Sequence, residues 1–162
     1  MKKFFLVVLI ILTTYVFLGI ASIDKRYFVC PIEYKNDIIV RNDAGGNGVF
    51  AATRSGGRRL HKGIDLLADV GTPVLAAKSG KIISAAQNFG MGKYVIVQHK
   101  NDVITVYGHL SEILVRKNDY VGQGQVIGKV GRTGNARYRS ILSHLHFEVR
   151  KNGIPQDPLE YI

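Results

Sequence analysis

Polar and apolar positions alternate without a break along Ser143-His144-Leu145-His146-Phe147-Glu148-Val149-Arg150. His144, His146, Glu148 and Arg150 hold one parity; Leu145, Phe147 and Val149 hold the other. Successive side chains of a β-strand point to opposite faces, so this pattern predicts a strand with its apolar set on a core. The two imidazoles then project together from the other face. Residues 93–99 and 103–109 alternate in the same way and are joined by Lys100-Asn101-Asp102, which predicts a hairpin. His109 stands where the second of these strands gives way to a loop, and Tyr107 shares its parity. Residues 74–77 and 81–86 read as short strands around the turn Lys78-Ser79-Gly80, and residues 121–131 as a tight glycine-spaced β segment. No helical period of any length occurs beyond the N-terminal apolar run. The expected fold is mostly β: an antiparallel β-sheet sandwich or open barrel with a loop-walled groove, preceded by an N-terminal apolar helix.

That apolar run changes the expected setting of the domain. Lys2 and Lys3 precede an uncharged stretch over residues 4–21, which ends in small residues at Gly19 and Ala21. Residues 1–21 are therefore expected to be a secretory signal peptide or an uncleaved membrane anchor attached through residues 4–21. Either reading makes the protein exported, to the periplasm, the cell envelope or the extracellular space. Residues 22–47 mix charges and aromatics without a sustained period and are expected to form a linker or N-terminal flap, with one short strand near residues 37–40. Residues 48–162 are the expected catalytic-type domain, and 162 residues in all suffice for one core.

Cysteine and charge narrow the chemistry. The single cysteine, Cys30, excludes an intramolecular disulfide and a thiolate zinc cluster within the chain. The formal charge of +10, or +8 without Lys2 and Lys3, favours an anionic partner. For an exported chain that partner would be an anionic wall or membrane surface; the alternative is that the surplus lysine and arginine merely keep a small domain soluble. No nucleic-acid-binding motif accompanies the scattered basic residues, so nucleic acid is set aside.

Three segments carry candidate chemistry. Leu60-His61-Lys62-Gly63-Ile64-Asp65 offers an imidazole and a carboxylate that a turn leading into a strand can bring together, or, standing alone, a surface histidine and a turn-capping aspartate. Two histidines and one carboxylate suit zinc and leave a fourth position for water. Tyr107-Gly108-His109-Leu110-Ser111 places a histidine at a strand end, and the strand at residues 143–150 offers His144 and His146. His99 reads as structural. Arg58 and Arg59, just before His61, are either contacts for substrate carboxylates or solvated charges.

In the order His-x-x-x-Asp, Tyr-x-His-Leu-Ser, His-Leu-His-Phe-Glu, these motifs resemble the lysostaphin-type (LytM, M23 family) zinc metallopeptidases of peptidoglycan. The frame around them is similar too: Gly71-Thr72-Pro73-Val74, Val95-Ile96-Val97-Gln98-His99, and Val121-Gly122-Gln123-Gly124-Gln125-Val126-Ile127-Gly128 followed by Gly131-Arg132-Thr133-Gly134. The resemblance spans roughly residues 48–158. It implies one Zn²⁺ per chain held by His61, Asp65 and His146, with His109 and His144 as catalytic histidines. It also implies hydrolysis of peptidoglycan peptides. Some members of the family have lost ligands and activate other wall hydrolases without turnover; here all five positions are filled. The alternatives to a wall endopeptidase are such a non-turnover activator or binding protein, or a zinc peptidase acting on a protein. One departure from the family is Ser143 after the basic loop Asn135-Ala136-Arg137-Tyr138-Arg139-Ser140, which is expected to border the cleft and bear on substrate preference. Glu148 has no role in this scheme beyond structure.

Overall fold

The computed structural model of the chain describes Asp24, residues 27–54 and residues 56–162. The N-terminal apolar run, with its expected helix, lies outside the described residues. Among them there is no α-helix, only the 3₁₀ turns Gly134–Arg137 and Pro158–Glu160.

The strands are, in chain order, β1 (Asn42–Asp43), β2 (Gly46–Asn47), β3 (Thr53–Arg54), β4 (Arg59–Leu60), β5 (Ile64–Leu67), β6 (Pro73–Leu75) and β7 (Gly80–Asn88). They continue with β8 (Gly92–Gln98), β9 (Val103–Ile113), β10 (Tyr120–Val121), β11 (Val126–Val130), β12 (His144–Lys151) and β13 (Ile154–Gln156). Nine strands join one sheet along the path β10-β7-β8-β9-β11-β6, and β12 pairs with β9, β5 and β13. All of these pairings are antiparallel. The mostly β, antiparallel expectation therefore holds. The β8–β9 hairpin forms as its alternation predicts, and Asn101 and Asp102 turn it at φ values of 58° and 53°. Both angles lie in the left-handed region that two-residue hairpin turns require.

The glycine-spaced segment at residues 121–131 is not one strand. It divides into β10, paired with β7, and β11, paired with β6 and β9. The break is a turn at Gly122-Gln123-Gly124-Gln125, where Gly124 takes φ 78° and Gln125 N–H donates to the Gly122 carbonyl.

Strand β9 organises the site. One of its edges carries β8 from Ile104 to Leu110. The other edge pairs with β12 over residues 103–108 and with β11 from Leu110 to Ile113. His109 sits at the exchange of partners with φ 63°, while the pairing to β8 shifts register between Lys93 and Val95. This is a β-bulge, not the strand end expected from the sequence, because β9 continues to Ile113. The extra residue reverses the parity beyond it. Tyr107, before the bulge, faces the core, fully buried, whereas His109 in the bulge faces the groove on the opposite side.

The core is built from the apolar parities of these strands. Ile64, Leu66, Val95, Val97, Tyr107, Leu110, Ile127, Leu145, Phe147 and Val149 are all inaccessible to solvent. The Tyr107 hydroxyl accepts from Ala77 N–H and from the Thr105 hydroxyl, each at 2.9 Å, so its burial leaves no unpaired polar atom. Emptying the Phe147 position by substitution to alanine would cost about 3–5 kcal/mol. The N-terminal segment packs on the same body. Ile32 joins the core, Val29 N–H donates to Ala77 O at 2.9 Å, and Leu67 N–H donates to Ile39 O at 2.8 Å. The short strand expected near residues 37–40 is reduced to one bridge, Val40 to Leu66.

Candidate metal centre

Strand pairing brings the site residues together before any side-chain interaction is considered. In the β5–β12 ladder Asp65 lies directly opposite His146, and His144 opposite Leu67. The turn between β4 and β5 carries His61 back over Asp65. Gly63 makes that turn fit: a Cβ there would lie 2.1 Å from the Phe147 carbonyl oxygen. Any side chain would push the turn off β12 and open the cluster.

The result is a triangle of three buried ligand atoms. His146 Nδ1 is 2.9 Å from Asp65 Oδ1 and 3.0 Å from His61 Nε2, and His61 Nε2 is 3.1 Å from Asp65 Oδ1. The outer nitrogens set the tautomers. His61 Nδ1 lies 2.9 Å from the Val49 carbonyl, and His146 Nε2 lies 3.0 Å from Glu148 Oε1. With those nitrogens protonated and donating, both inner nitrogens present lone pairs to the carboxylate oxygen. Three lone pairs about 3 Å apart repel unless a proton or a cation lies among them. Tetrahedral zinc, with bonds of about 2.0–2.1 Å, separates its donors by about 3.3–3.4 Å. The residues fit such an ion with small adjustments, and their oriented outer nitrogens are those of a histidine metal site. His61, Asp65 and His146 are also the metal-capable cluster found among the described residues.

The electrostatics express the same crowding. Burial alone would raise the Asp65 pKa, but hydrogen bonds from His146 and His61 outweigh it and hold the carboxyl well below the usual carboxylate range. Burial would lower His146, yet its bonds to Asp65 and Glu148 prevail and raise it to about 9. Without a metal, the cluster thus keeps a proton on His146. The second Asp65 oxygen, Oδ2, accepts from Arg41 Nη2 at 2.8 Å and from Arg54 Nη2 at 3.3 Å. Glu148, held below its ordinary value despite burial by His146 and Arg150, accepts from Arg150 Nε at 2.7 Å.

The remaining two candidate histidines flank the triangle. His144 Nδ1 is 2.7 Å from the Leu142 carbonyl, and His144 Nε2 is 3.8 Å from Asp65 Oδ1. His109 Nδ1 is 3.0 Å from the Thr133 carbonyl. The two rings meet edge to face at 5.0 Å between centroids. Burial, together with the neighbouring imidazoles, lowers the His109 pKa to about 3; burial also lowers that of His144. Both rings are therefore neutral at pH 7, and each carries its lone pair on Nε2.

All five histidine and aspartate positions singled out in the sequence converge on one open groove. Arg59, Leu60 and Lys62 line it beside His61, and Phe89, Asn135 and Ile141 also contribute, so the basic loop does border the cleft. His99 lies elsewhere, between Ser79 and Thr105, in agreement with its structural reading. Sequence reasoning missed the roles of Glu148, Arg41 and Arg54. Glu148 was detectable, since its parity puts it beside His146. Nothing local to Arg41 signalled its place, because its partner is 24 residues away.

Two histidines and one carboxylate, buried at the base of an open groove on an antiparallel sheet, make a donor set suited to a single metal ion such as zinc. The model of peptidase family M23 matches residues 59–158, and the chain belongs to that family. It is 40% identical over 116 residues to the lipoprotein NlpD/LppB homolog of Pseudomonas aeruginosa, covering 71% of this chain and 36% of that protein. It is 42% identical over 100 residues to the peptidoglycan DD-endopeptidase ShyC of Vibrio cholerae, covering 62% of this chain and 22% of that protein. Among solved structures, a zinc-containing peptidase from Vibrio cholerae superposes with a TM-score of 0.66 at 30% identity, over 82% of this chain and 39% of that one. The chain thus spans well under half the length of these relatives.

Proposed function

We propose that the chain is a zinc-dependent endopeptidase that hydrolyses peptide bonds of bacterial cell-wall peptidoglycan. His61, Asp65 and His146 hold the metal, and His109 and His144 are the catalytic histidines. The observation that carries this reading is the convergence of three buried lone-pair atoms within 3.1 Å of one another, beside two neutral histidines in an open groove. The family and the peptidoglycan endopeptidase among its relatives support the choice of substrate.

A zinc ion held there would supply Lewis acidity toward a peptide carbonyl and make water nucleophilic at neutral pH. The chain's own residues do the rest. Glu148 and the Val49 carbonyl keep the His146 and His61 rings in the tautomers that face the centre. An extended peptide lies along the groove, with Arg59 and Lys62 beside it. His109 and His144, neutral at pH 7, each offer an Nε2 lone pair because Nδ1 is tied to a carbonyl. One of them takes a proton from the attacking water. That ring then becomes an N–H donor, able to stabilise the developing oxyanion or to protonate the leaving amine.

We place the protein outside the cytoplasmic membrane, exported or anchored by residues 1–21. Among the described residues no helix is long and apolar enough to cross a membrane. The test is digestion of purified sacculi with and without a chelator, with mass analysis of the muropeptides released and metal content measured in parallel. The expected result is soluble peptide fragments that vanish with chelator and return with zinc. Stoichiometric zinc without fragments would replace the hydrolase by a protein that uses the groove for binding. Cleavage of casein alone would move the substrate from wall to protein.

A further inference from the structure

We propose that Arg41 and Asp43, which precede the residues matched by the family, form a positioning pair that ties the metal ligand Asp65 to the catalytic histidine His144. The inference rests on the roles proposed above for Asp65 and His144. Arg41 is buried, 3% exposed, and sits between two carboxylates. Its Nη2 donates to Asp65 Oδ2 at 2.8 Å, and its Nη1 donates to Asp43 Oδ1. Hydrogen bonds to both partners outweigh burial and raise its pKa, so its charge is permanent. Asp43 continues the connection: its Oδ2 accepts from Leu142 N–H at 2.7 Å, and the carbonyl of Leu142 accepts from His144 Nδ1, also at 2.7 Å. A chain of polar contacts therefore runs from Asp65 through Arg41, Asp43 and Leu142 to His144.

The backbone holds the same segment against β5. Arg41 N–H donates to Asp65 O, Asp65 N–H donates to Gly48 O, and Gly48 N–H donates to Arg41 O, each at 2.8 Å. Gly48 is what allows this contact, because a Cβ there would lie 2.9 Å from Asp65 Cβ and 2.8 Å from Arg41 O. Asp65 is thus gripped through its backbone and its outer oxygen by one short segment. Arg41 orients the oxygen pair of Asp65, whereas Asp43 holds the loop that sets the tautomer and direction of His144. These two functions are separable.

The experiment uses the full chain and compares Arg41→Met with Asp43→Ala. Zinc affinity is read by competition with a chromogenic chelator, and the kcat and KM of muropeptide hydrolysis are measured in excess zinc. Outer partners of metal ligands typically contribute about 10–100-fold to metal affinity or activity. Arg41→Met is expected to lose zinc affinity by about that factor. Asp43→Ala is expected to keep affinity within about twofold and to lose kcat by about 10-fold or more, with KM little changed. Arg41→Lys retains the charge but reaches only one carboxylate, and serves as the variant expected to fold if the methionine does not. It should lose affinity in the same direction. Equal losses of affinity and kcat in both variants, or no loss in either, would overturn the pair as a positioning device. The affinity measurement needs no wall substrate, so failure to cut sacculi would refute the function and leave this inference under test.

Discussion

His99 and His109 stand at opposite ends of the β8–β9 hairpin, and both are at least nine-tenths buried, yet only one faces the groove. His99 spends both nitrogens. Nδ1 meets the Ser79 carbonyl at 2.9 Å, Nε2 meets the Thr105 hydroxyl at 2.8 Å, and Phe28 covers the ring edge at 5.5 Å. His109 spends only Nδ1, on the Thr133 carbonyl, and its ring lies 5.0 and 5.8 Å from those of His144 and His146. Burial lowers the pKa of both. A neutral buried imidazole is therefore not in itself chemical; what matters is whether its second nitrogen is already used. The backbone makes the difference too, since His109 is held at φ 63° in a bulge, a conformation that costs of order 1–3 kcal/mol in a residue other than glycine. His99 carries no such strain.

The comparison can be broken by substitution. His109→Ala is expected to keep stoichiometric zinc and to lose about 10²–10⁴-fold in kcat for muropeptide hydrolysis, the usual worth of a general acid–base group. His99→Ala is expected to leave kcat within a few-fold and to destabilise the fold by about 1–3 kcal/mol, because Thr105 and Ser79 lose a buried partner. Denaturant unfolding and steady-state kinetics on both variants check this. Equal kinetic losses would show that the two histidines do not divide as their hydrogen bonds imply.

Glu148→Gln sharpens the contrast at a lower magnitude. An amide oxygen can still accept from His146 Nε2, but the charge that supports the ring is gone, and Arg150 loses its ion pair. Zinc affinity is expected to fall about 10–100-fold, measurable by chelator competition.

The smallest expected effect is the pH dependence of metal loading. In the metal-free protein His146 has a raised pKa, about 9, so below that pH zinc must displace a proton. Protonation favours the metal-free form, and affinity therefore falls as pH falls. One displaced proton corresponds to about tenfold per pH unit. Titration calorimetry in buffers of different ionisation enthalpy should find about one proton released at pH 7. His99 and His109, both with lowered pKa, contribute none of it.

Much of the site was legible before folding was considered. The alternation of residues 144–150 placed His144 and His146 on one face and Leu145, Phe147 and Val149 on the other, as found. The same local rule failed at Tyr107 and His109, which share parity in the sequence and face opposite sides of the sheet. A bulge is specified by the exchange of neighbouring strands, and neither β11 nor β12 is visible from within β9. The division of residues 121–131 into β10 and β11 was missed for a similar reason. Each half has a different partner strand, and a period-two pattern does not identify partners.

The amino-acid sequence by itself determined that the chain is mostly β, that its strands are antiparallel neighbours, and which residue types could serve as metal donors. Those properties follow from periods of two residues and from donor types, which are local. The tertiary structure decided which nitrogen of each histidine is free, how His109 is turned into the groove, and why Asp65 is held by an arginine from outside the family-matched stretch. These depend on hydrogen bonds that span 24 residues for Arg41 to Asp65, 24 for His109 to Thr133 and 81 for Asp65 to His146. Contacts of that range arise only when separate strands pair, so no local pattern in the chain records them.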